Sequence, residues 1–419
     1  MRNLKAALLV LVAFVATAST ADATQRYVAP AGTGVACTQA TPCPLATGVN
    51  SAMGGDEVIV TAGTYSMSTN LANSSSSLTI RGESGQPRPV INTTATSALT
   101  LNGGGTTLRD LTINQTAGVG GIAVLSADGL TDHVQVRSVG YPCQLAGTVR
   151  DTLCASTGSG DAINFNANGG TWDLKLRNVT AIASGAGRHA LVYQSAGATI
   201  ISVDARNVIA QGGTSPGADV RAETTGGVSA ATSVTLQDSN YDTVSSTGPG
   251  TETVTAAGSG TNQTAAPIFA DTTDYLQAAG SPTIDAGATD GFTGTTTDLG
   301  GQPRIQGSAI DIGADEFQPA VTPPADTTPP ETTIDKGPKK KGKSKKATFT
   351  FSSSEAGSTF VCKIDGKAEA PCTSPLKLKR LKKGKHKLSV VATDAAGNAD
   401  ATAASYSWKV KKKRKKPKG

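Results

Sequence analysis

Aromatic side chains are scarce in this sequence: Phe, Tyr and Trp together make up 4% of its 419 residues. Aromatic residues supply much of the buried area in most globular cores, so their scarcity argues against a broad globular core. Glycine is abundant, with 48 residues, and Ala, Ser and Thr recur throughout the chain. This composition favours a thin structure whose interior is filled by Val, Ile, Leu and Ala.

Long apolar runs are missing everywhere except at the amino terminus. Residues 1–23 carry Arg2 and Lys5, then an apolar stretch, then small residues ending in Ala21-Asp22-Ala23, which is the pattern of a secretory signal peptide. We predict cleavage before Thr24, with Ala16-Thr17-Ala18 as the alternative site, and export of the mature chain. No later stretch has the roughly 20 apolar residues that a membrane-spanning helix needs, so we predict no transmembrane segment in the mature protein.

Metal-binding patterns are missing as well. The sequence has three scattered histidines and no two cysteines at CxxC spacing, which argues against a zinc site. Its six cysteines form three close pairs, and close pairing in an exported chain indicates local disulfides. We predict three bonds and no free thiol: Cys37–Cys43, Cys143–Cys154 and Cys362–Cys372.

A short strand pattern with a break in its alternation recurs along the first part of the chain. Within residues 107–114, Leu108 is followed by Leu111 and Ile113, so the alternation that places strand side chains on opposite faces slips at Asp110. In each copy the break falls on Asp or Asn, which tolerate the left-handed backbone conformation of a tight corner. We predict corners at five positions: Asp110, Asp132, Asn178, Asn207 and Asp238.

These corners are separated by 22, 46, 29 and 31 residues, and the second interval is about twice the first. Such a recurrence indicates a solenoid, in which each unit buries its apolar face against its neighbours. The sequence therefore predicts an all-β fold, a right-handed parallel β-helix of the pectate-lyase type, with about 7 to 9 coils in residues 56–263. An antiparallel sandwich is the alternative, although it would need hairpin turns roughly every 8 to 12 residues.

The segment before the first coil resembles the opening of exported right-handed β-helix proteins. It reads V-N-S-A-M-G-G-D-E-V-I-V-T-A-G-T-Y from Val49 to Tyr65. The resemblance implies a short helix within residues 45–53 that covers the first coil and leads through Gly55-Asp56 into the first strand.

Residues 266–317 break the repeat and carry a more specific resemblance. Five short motifs follow one another there: P-I-F, D-Y-L, G-S-P-T-I-D-A-G, D-L-G-G-Q-P-R and D-I-G-A-D-E. They resemble the carboxy-terminal block of the choice-of-anchor Q family of bacterial surface β-helix proteins, in which this block closes the last coil. The resemblance implies surface display and supplies no catalytic residues.

The rest of the chain divides into a linker, a second domain and a tail. Prolines favour an extended linker in residues 319–330. Residues 331–410 contain short alternating strands with turn signals, including F-V-C-K-I-D-G and V-V-A-T-D-A-A-G-N. They resemble an immunoglobulin-like module found at the ends of actinobacterial exported proteins, which implies a small β-sandwich. The predicted organisation is a signal peptide (1–23), a β-helix (24–318), the linker, the module and a tail (411–419).

Charge is divided unequally between the two halves of the mature chain. Residues 24–330 hold 12 Lys and Arg against 24 Asp and Glu, a net −12, whereas residues 331–419 hold 24 against 7, a net +17. A basic region of this kind usually binds a polyanion. We expect an anionic cell-envelope polymer or polysaccharide as the partner, nucleic acid only non-specifically, and a monomer. The polyanion-binding residues predicted in the tail are Lys411, Lys412, Lys413, Arg414, Lys415, Lys416 and Lys418.

Two sets of residues in the first domain are candidates for chemistry. Asp110 and Asp132 would stack at about 4.8 Å if they shared a corner ladder, and paired carboxylates on successive coils are how pectate-lyase-like enzymes hold calcium. The alternative is that both serve the corner conformation, with Arg109 neutralising their charge. A lyase also needs a base near its calcium, and Lys175 is the single lysine of the mature first domain.

The second set is Asp161 with Arg188 and His189. The sequences G-D-A-I and G-R-H-A resemble in part the acid pair and the G-H-G motif of polygalacturonase-type hydrolases. The second acid is replaced by Ala162, and an inverting hydrolase needs two carboxyl groups that flank the scissile bond. The alternative is a glycine corner with His189 on the surface of a coil.

We expect a secreted, cell-surface β-helix protein with a binding or structural role at the cell envelope, held there by the basic immunoglobulin-like module. A fold does not fix a function, so a polysaccharide lyase or glycoside hydrolase acting on an acidic polysaccharide is the alternative. The negative charge of the first domain argues against the enzyme because it would repel a polyuronate. We predict no cofactor and leave calcium at Asp110 and Asp132 open.

Overall fold

The computed structural model describes residues 23–117, 120–225, 227–256, 261–289, 296–319 and 326–412. All but the last residue of the predicted signal peptide, and most of the predicted tail, lie outside these ranges. The chain divides into two compact units, Met1–Pro319 and Ala320–Gly419. Each unit is described by itself below.

The described part of the first unit consists of short strands and one short helix. In chain order these are β1 (Gln25–Val28), α1 (Leu45–Asn50), β2 (Glu57–Val60), β3 (Thr64–Met67), β4 (Leu71–Asn73), β5 (Thr79–Gly82), β6 (Val90–Thr93), β7 (Ser97–Leu101), β8 (Thr107–Gln115), β9 (Gly120–Val124), β10 (Leu130–Ser138), β11 (Tyr141–Leu145), β12 (Thr148–Ser156), β13 (Ile163–Asn168), β14 (Thr171–Ala183), β15 (Leu191–Ala196), β16 (Ile200–Gln211), β17 (Val220–Thr224), β18 (Ala231–Gln237), β19 (Val244–Thr247) and β20 (Thr251–Ala256).

The strands of this unit form two parallel sheets. The larger sheet has the order β1-β2-β5-β8-β10-β12-β14-β16-β18-β20, with β3 joined to β6 and β6 to β8, and the smaller has the order β19-β17-β15-β13-β11-β9-β7-β4. Neighbouring strands in each sheet are one coil apart in the chain, which confirms the predicted parallel β-helix. Parallel strands cannot be joined by two-residue hairpins, so the antiparallel sandwich is excluded.

The coils turn at residues with positive φ. Asp110 (φ 58°), Asn178 (53°), Asn207 (53°) and Asp238 (48°) adopt this left-handed conformation, as predicted. The corner of β10, however, is His133 (φ 53°) and not Asp132. The prediction was wrong by one residue because Asp132 is aligned with the arginines that precede the corners of β8 and β12.

A further corner, which the sequence pattern did not predict, lies at Asp151 (φ 46°). It lies inside the interval of 46 residues that is twice the usual spacing. The residue after this corner is Thr152, which is fully buried, whereas most other copies have Leu or Val there. A polar residue at an inward position concealed this copy of the repeat.

Stacked aliphatic side chains fill the interior of the coils. One inward row places equivalent residues of seven coils side by side, each at most 1% exposed: Ile80, Leu108, Thr131, Val149, Leu176, Ala205 and Leu236. The disulfide Cys143–Cys154 joins β11 to β12 within this core. The small residues of the composition therefore serve a narrow interior, as predicted.

The amino-terminal end of the β-helix is covered by the α-helix α1 and by the disulfide loop Cys37–Cys43. Leu45 and Val49 of α1 are buried against the first coil. The predicted capping helix is thus present, and it ends at Asn50, within the expected range.

Residues 267–289 and 296–317, which together we call the lateral belt, run back along the outside of the coils. Arg88 donates to the Leu299 carbonyl, and Asn207 Nδ2 donates to the Ala288 carbonyl at 2.9 Å. These contacts lie on coils that are far apart along the helix. We expected this block to close the last coil; it covers the side of the helix instead, because the corner residues offer it partners there.

A second apolar core lies between the lateral belt and the coils. It contains Leu153, Ala155, Ile182 and Ile209 from the strands after the corners, and Tyr275, Leu299, Ile312 and Ala314 from the belt. Gly313 (φ 116°) comes so close to Ile209 that a Cβ atom would lie 2.8 Å from Ile209 Cδ1. The glycine of D-I-G-A-D-E is favoured by this close approach and above all by its positive φ, which residues with a side chain rarely adopt.

The second unit is a small sandwich of two sheets, in agreement with the predicted β-sandwich. Its strands are β21 (Thr332–Lys336), β22 (Lys341–Gly342), β23 (Ala347–Ser353), β24 (Thr359–Ile364), β25 (Ala370–Cys372), β26 (Leu376–Leu378), β27 (Gly384–Thr393) and β28 (Ala404–Val410). The sheets have the orders β21-β23-β26 and β22-β28-β27-β24-β25. Between them lies an apolar core that includes Phe349, Val390 and Trp408, and Cys362–Cys372 joins β24 to β25. All three predicted disulfides are confirmed.

Candidate functional site

The corner residues form a hydrogen-bonded ladder along the first unit. Asn207 Nδ2 donates to Asn178 Oδ1 at 3.0 Å, and Asn178 Nδ2 donates to Asp151 Oδ1 at 3.0 Å. Stacked amides on successive coils can form such a ladder because equivalent residues lie one strand spacing apart, about 4.8 Å. The corner side chains thus hold the coils together and present one continuous face to the lateral belt.

Arg304 fastens the belt to this ladder. Its Nε donates to Asp151 Oδ1 at 3.0 Å and its Nη1 donates to Glu316 Oε1 at 2.9 Å. The guanidinium also donates to the carbonyls of Gly313 and Ala314. Arginine suits this position because its planar fork serves several acceptors at once.

His133 forms a second fastening between the coils and the belt. Its Nδ1 lies 2.7 Å from Asp132 Oδ1 and its Nε2 lies 3.2 Å from the Thr297 carbonyl oxygen. Both neighbours are acceptors, so an imidazolium with a proton on each nitrogen satisfies them. Burial lowers the pKa of His133, but the hydrogen bond and charge of Asp132 outweigh it and raise the pKa above its usual value. While the ring is protonated it has no free lone pair, so it cannot then act as a general base.

Asp132 lies in a row of arginines and not in a row of carboxylates. Successive coils place Arg81, Arg109, Asp132, Arg150, Arg177 and Arg206 next to one another. Asp132 Oδ2 accepts from Arg150 Nη2 at 2.8 Å. Burial raises the pKa of Asp132, and the hydrogen bonds from His133 and Arg150 outweigh burial and lower it to about 2.

Asp110 and Asp132, the candidate calcium ligands, therefore do not stack on each other in one row. Asp110 is next to His133 in the corner row, and Asp132 is one position away, beside Arg109. Asp132, His133 and Asp151 do lie within reach of a common ion. The cations of Arg150, His133 and Arg304 already neutralise these carboxylates, which leaves a metal little to bind.

Two acids of the belt are destabilised in their ionised forms. Burial and the neighbouring charge of Asp298 raise the pKa of Asp315 to about 7. Burial raises the pKa of Glu316 to about 7 despite the hydrogen bond from Arg304. The contact between belt and coils therefore contains groups that change charge near neutral pH.

A cleft of about 530 Å³ opens beside the ladder. Its lining combines positive and negative side chains with backbone: Glu83, Arg88, Arg109, Asp110, His133, Thr297 and Gly300 are among the residues. Asp110 is paired with Arg109 at 3.0 Å. The two carboxylates in this lining are Glu83 and Asp110, and the second of them is already engaged by an arginine.

The hydrolase candidates are brought together, but not in a catalytic arrangement. Asp161 Oδ1 accepts from the backbone N–H of His189 at 2.8 Å, and both side chains are buried. The His189 ring is held by the backbone of Ala218 on the next coil. Arg188 is partly exposed at the adjacent turn, and Lys175 is exposed on β14, 14 residues from Asp161 and 14 from His189. The contacts of Asp161 and His189 support coil turns.

Four acidic residues gather at one end of the second unit. Glu331, Glu355, Asp394 and Asp400 lie where β21 and β24 begin and where β23 and β27 end. Asp394 accepts from the Asn398 N–H at 2.8 Å and from its Nδ2 at 2.9 Å. An aspartate that accepts from nearby N–H groups in this way stabilises a turn.

The opposite end of the second unit gathers lysines from three separate segments. Lys409 on β28 is paired with Lys341 on β22 and with Lys385 on β27. All three side chains are exposed, and neighbouring strands are about 4.8 Å apart. We call Lys341, Lys409 and Lys385 the lysine row.

Other lysines surround this row. The Lys409 N–H donates to the Lys340 carbonyl and the Lys411 N–H to the Gly342 carbonyl, which joins the segment before β23 to the end of β28. The exposed lysines that meet here, called the basic end, are Lys340, Lys341, Lys343, Lys382, Lys383, Lys385, Lys409, Lys411 and Lys412. The predicted tail residues Lys413, Arg414, Lys415, Lys416 and Lys418 lie outside the described residues.

The charges of the basic end are not neutralised by acids within the described residues. Among the described residues of the second unit, the ion pairs join Lys363 to Glu369 and His386 to Asp365, and neither includes a lysine of the basic end. Lys340 lies over the Tyr406 ring, 3.8 Å from its centroid. Adjacent like charges repel one another. A bound anion would reduce this repulsion between the lysine side chains.

Comparison with known proteins adds no relative. The chain matches none of the family models with which it was compared, and no curated protein is detectably similar to it. Within the described ranges, no helix is long and apolar enough to cross a membrane. The choice-of-anchor and immunoglobulin-like resemblances therefore stay predictions.

Proposed function

We propose that this is an exported protein whose second unit binds an anionic polymer of the cell envelope through its basic end, and whose β-helix is displayed by that attachment. The lysine row carries the proposal, because three segments that are distant in the chain place exposed ammonium groups side by side. Three disulfides support an oxidising compartment. The amino-terminal signal pattern supports export.

The arrangement suits a polymer with repeated negative charges. Lysine is a compact point charge with three donors and a flexible stem, so a row of lysines follows phosphate, sulfate or carboxylate groups without demanding one geometry. Binding of this kind depends on Coulomb attraction, which is screened as the Debye length falls to about 3 Å at 1 M salt. Retention at the envelope should therefore decline steeply with salt.

The test compares a variant of the lysine row with a matched control. Lys341, Lys385 and Lys409 are replaced together by Gln in the full mature chain. The control replaces Lys336, Lys363 and Lys377 by Gln, which removes the same charge from exposed positions outside the row. Binding to dextran sulfate and to envelope fragments is measured as a function of salt.

We expect the row variant to need far less salt for release than the control, with a weaker dependence of affinity on salt concentration. Uncharged dextran should not bind. Equal release of the two variants would remove the lysine row as the binding surface. Failure of the native chain to bind any anionic polymer at low salt would refute the proposed function.

A further inference from the structure

A buried histidine lies directly beneath the lysine row. His386 is paired with Trp408, and each of them precedes or follows a member of the row on its strand. The His386 ring stacks on the Trp408 ring with centroids 5.2 Å apart and an interplanar angle of 28°. Only 7% of its side chain is exposed. Its position is therefore fixed by the core.

Both nitrogens of His386 face oxygen acceptors. Nδ1 lies 2.7 Å from Asp365 Oδ2, and Nε2 lies 2.8 Å from the Lys382 carbonyl oxygen. A neutral imidazole has one N–H and would turn a lone pair towards one of these oxygens. Both hydrogen bonds form when the ring is an imidazolium, which has a proton on each nitrogen.

The acceptor at Nε2 belongs to the loop between β26 and β27, residues 379–383. This loop carries Lys382 and Lys383 of the basic end, and Gly384 follows it at the start of β27. The loop also forms a backbone hydrogen bond, in which the Leu381 N–H donates to the Lys345 carbonyl at 3.0 Å. The His386 bond therefore ties the loop to the strand that bears Lys385.

We propose that protonated His386 is a positioning residue that holds this lysine-bearing loop beside the row, so that polyanion binding is tighter when His386 is protonated. The inference rests on the proposed function and adds its regulation by pH. An anion at the basic end also favours the imidazolium, and linkage requires that protonation favour the anion by the same factor.

The groups that face His386 account for the direction of the effect. Asp365 comes from the turn after β24, Trp408 from β28, and the Lys382 carbonyl from the loop. Burial lowers the pKa of His386, but the bonds to Asp365 and to the Lys382 carbonyl outweigh it and raise the pKa above its usual value. Lys385 and Lys387 flank it on β27 and are exposed on the opposite face of the strand.

The sign follows from the raised pKa. The bond to the loop is fully present below the ordinary histidine value of 6.5, and it is lost as the pH rises through the higher value of the folded protein. The single N–H of the neutral ring stays on Nδ1, because the Asp365 carboxylate is a stronger acceptor than the Lys382 carbonyl. Lysines remain charged until about pH 10. A loss of affinity between pH 6 and 9 therefore reports a group other than the lysines.

The experiment measures the affinity of the full mature chain for dextran sulfate from pH 5.5 to 9 at constant ionic strength. Sulfate esters keep their charge over this range, so the ligand does not titrate. We expect affinity to fall by about fivefold or more with rising pH, within the usual range of coupling between two sites. His386→Gln should bind like the native chain at pH 9 and lack most of this pH dependence. The α-amino group also titrates in this range, but the variant retains it. A dependence that is lost in His386→Gln therefore does not come from the amino terminus.

Asp365→Asn provides a second variant that keeps the histidine. Removal of the carboxylate lowers the pKa of His386, so the loss of affinity should occur at lower pH. This variant carries the test if His386→Gln does not fold. Tight binding that is independent of pH in the native chain would overturn the inference and leave the proposed function intact, whereas no binding at any pH at low salt would refute the proposed function itself.

Discussion

The two halves of the mature chain use different residues for the same positive charge. Residues 24–330 contain 11 Arg and one Lys, whereas residues 331–419 contain 22 Lys and 2 Arg. In the coils the arginines lie in ion pairs and donate to carbonyls; in the second unit the lysines of the basic end extend into solvent. Cation type, and not net charge alone, thus distinguishes the structural role of the arginines from the binding role that we propose for the lysines.

The physical reason lies in the two side chains. A guanidinium is planar, weakly hydrated and able to donate to several acceptors at once, so it can be buried with carboxylates. Arg177, for example, donates to Asp204 Oδ2 at 2.6 Å while 9% of its side chain is exposed. An ammonium group is strongly hydrated, and it serves best where water or a flexible polymer surrounds it.

The largest effect should come from breaking the buried arginine fastening. Arg304→Ala leaves Asp151 and Glu316 without their cation, and removal of one partner of a buried ion pair typically costs about 3–5 kcal/mol. Arg304→Lys should also lose at least about 2 kcal/mol, because an ammonium cannot serve both carboxylates and two carbonyls. Urea unfolding of the full mature chain measures both changes.

Lys175→Arg is the control for this pair of variants. Lys175 is exposed on β14, so its replacement should change the free energy of unfolding by less than about 0.5 kcal/mol. If Arg304→Lys proved as harmless as this control, the fork geometry would not matter and the contrast between the two halves would lose its basis.

A smaller effect should appear with pH. Because the pKa of Asp315 rises from 3.8 to about 7 on folding, the stability it contributes is complete near pH 4 and is lost as the pH rises to about 7. Glu316 and His133 act with the same sign at the same contact. We therefore expect the melting temperature of the first unit to fall between pH 5 and 8.5.

Asp315→Asn should flatten this decline by several degrees, because asparagine can still accept the Gly300 N–H without becoming charged. Asp173→Asn, at an exposed position on β14, is the control and should leave the decline unchanged. Thermal unfolding at a series of pH values measures both. An identical slope for the two variants would show that Asp315 does not govern how the belt responds to pH.

The smallest effect should come from exchanging cations in the lysine row. Replacement of Lys341, Lys385 and Lys409 by Arg keeps the charge, so affinity for dextran sulfate should stay within about twofold of native. Stability should also be unchanged, since these side chains are exposed. A large gain in affinity would mean that the ligand is recognised by bidentate geometry and not by charge alone.

The sequence predicted the β-helix because its corners repeat, and its errors were local. The β10 copy reads L-T-D-H-V, and the preference of corners for aspartate pointed to Asp132, although counting back from Val134 places His133 at the corner. The Asp151 copy was missed because Thr152 replaced the expected apolar residue. Both errors came from judging each copy by residue type and not by its alignment with the neighbouring coils.

The belt and the lysine row were not predictable in the same way. The belt joins residues that are far apart in the chain, as Arg304 and Asp151 are, and no local pattern encodes such a contact. One signal was available: Leu153 and Ile209 occupy outward positions where β8 and β10 have Thr112 and Gln135. The lysine row depends on the pairing of β22, β28 and β27, whereas the sequence showed only that lysines were numerous.

The lateral belt has a consequence for the length of the solenoid. A stack of identical coils has no preferred number of units, because each coil contacts only its neighbours. The lateral belt makes one number of coils preferred, because it is hydrogen-bonded to different coils at Arg88, His133, Asp151 and Asn207. One inserted coil would move these anchors apart by about 4.8 Å, too far for the same hydrogen bonds. The lateral belt thus fixes the number of coils between Arg88 and Asn207. It places no such constraint on the coils outside that span.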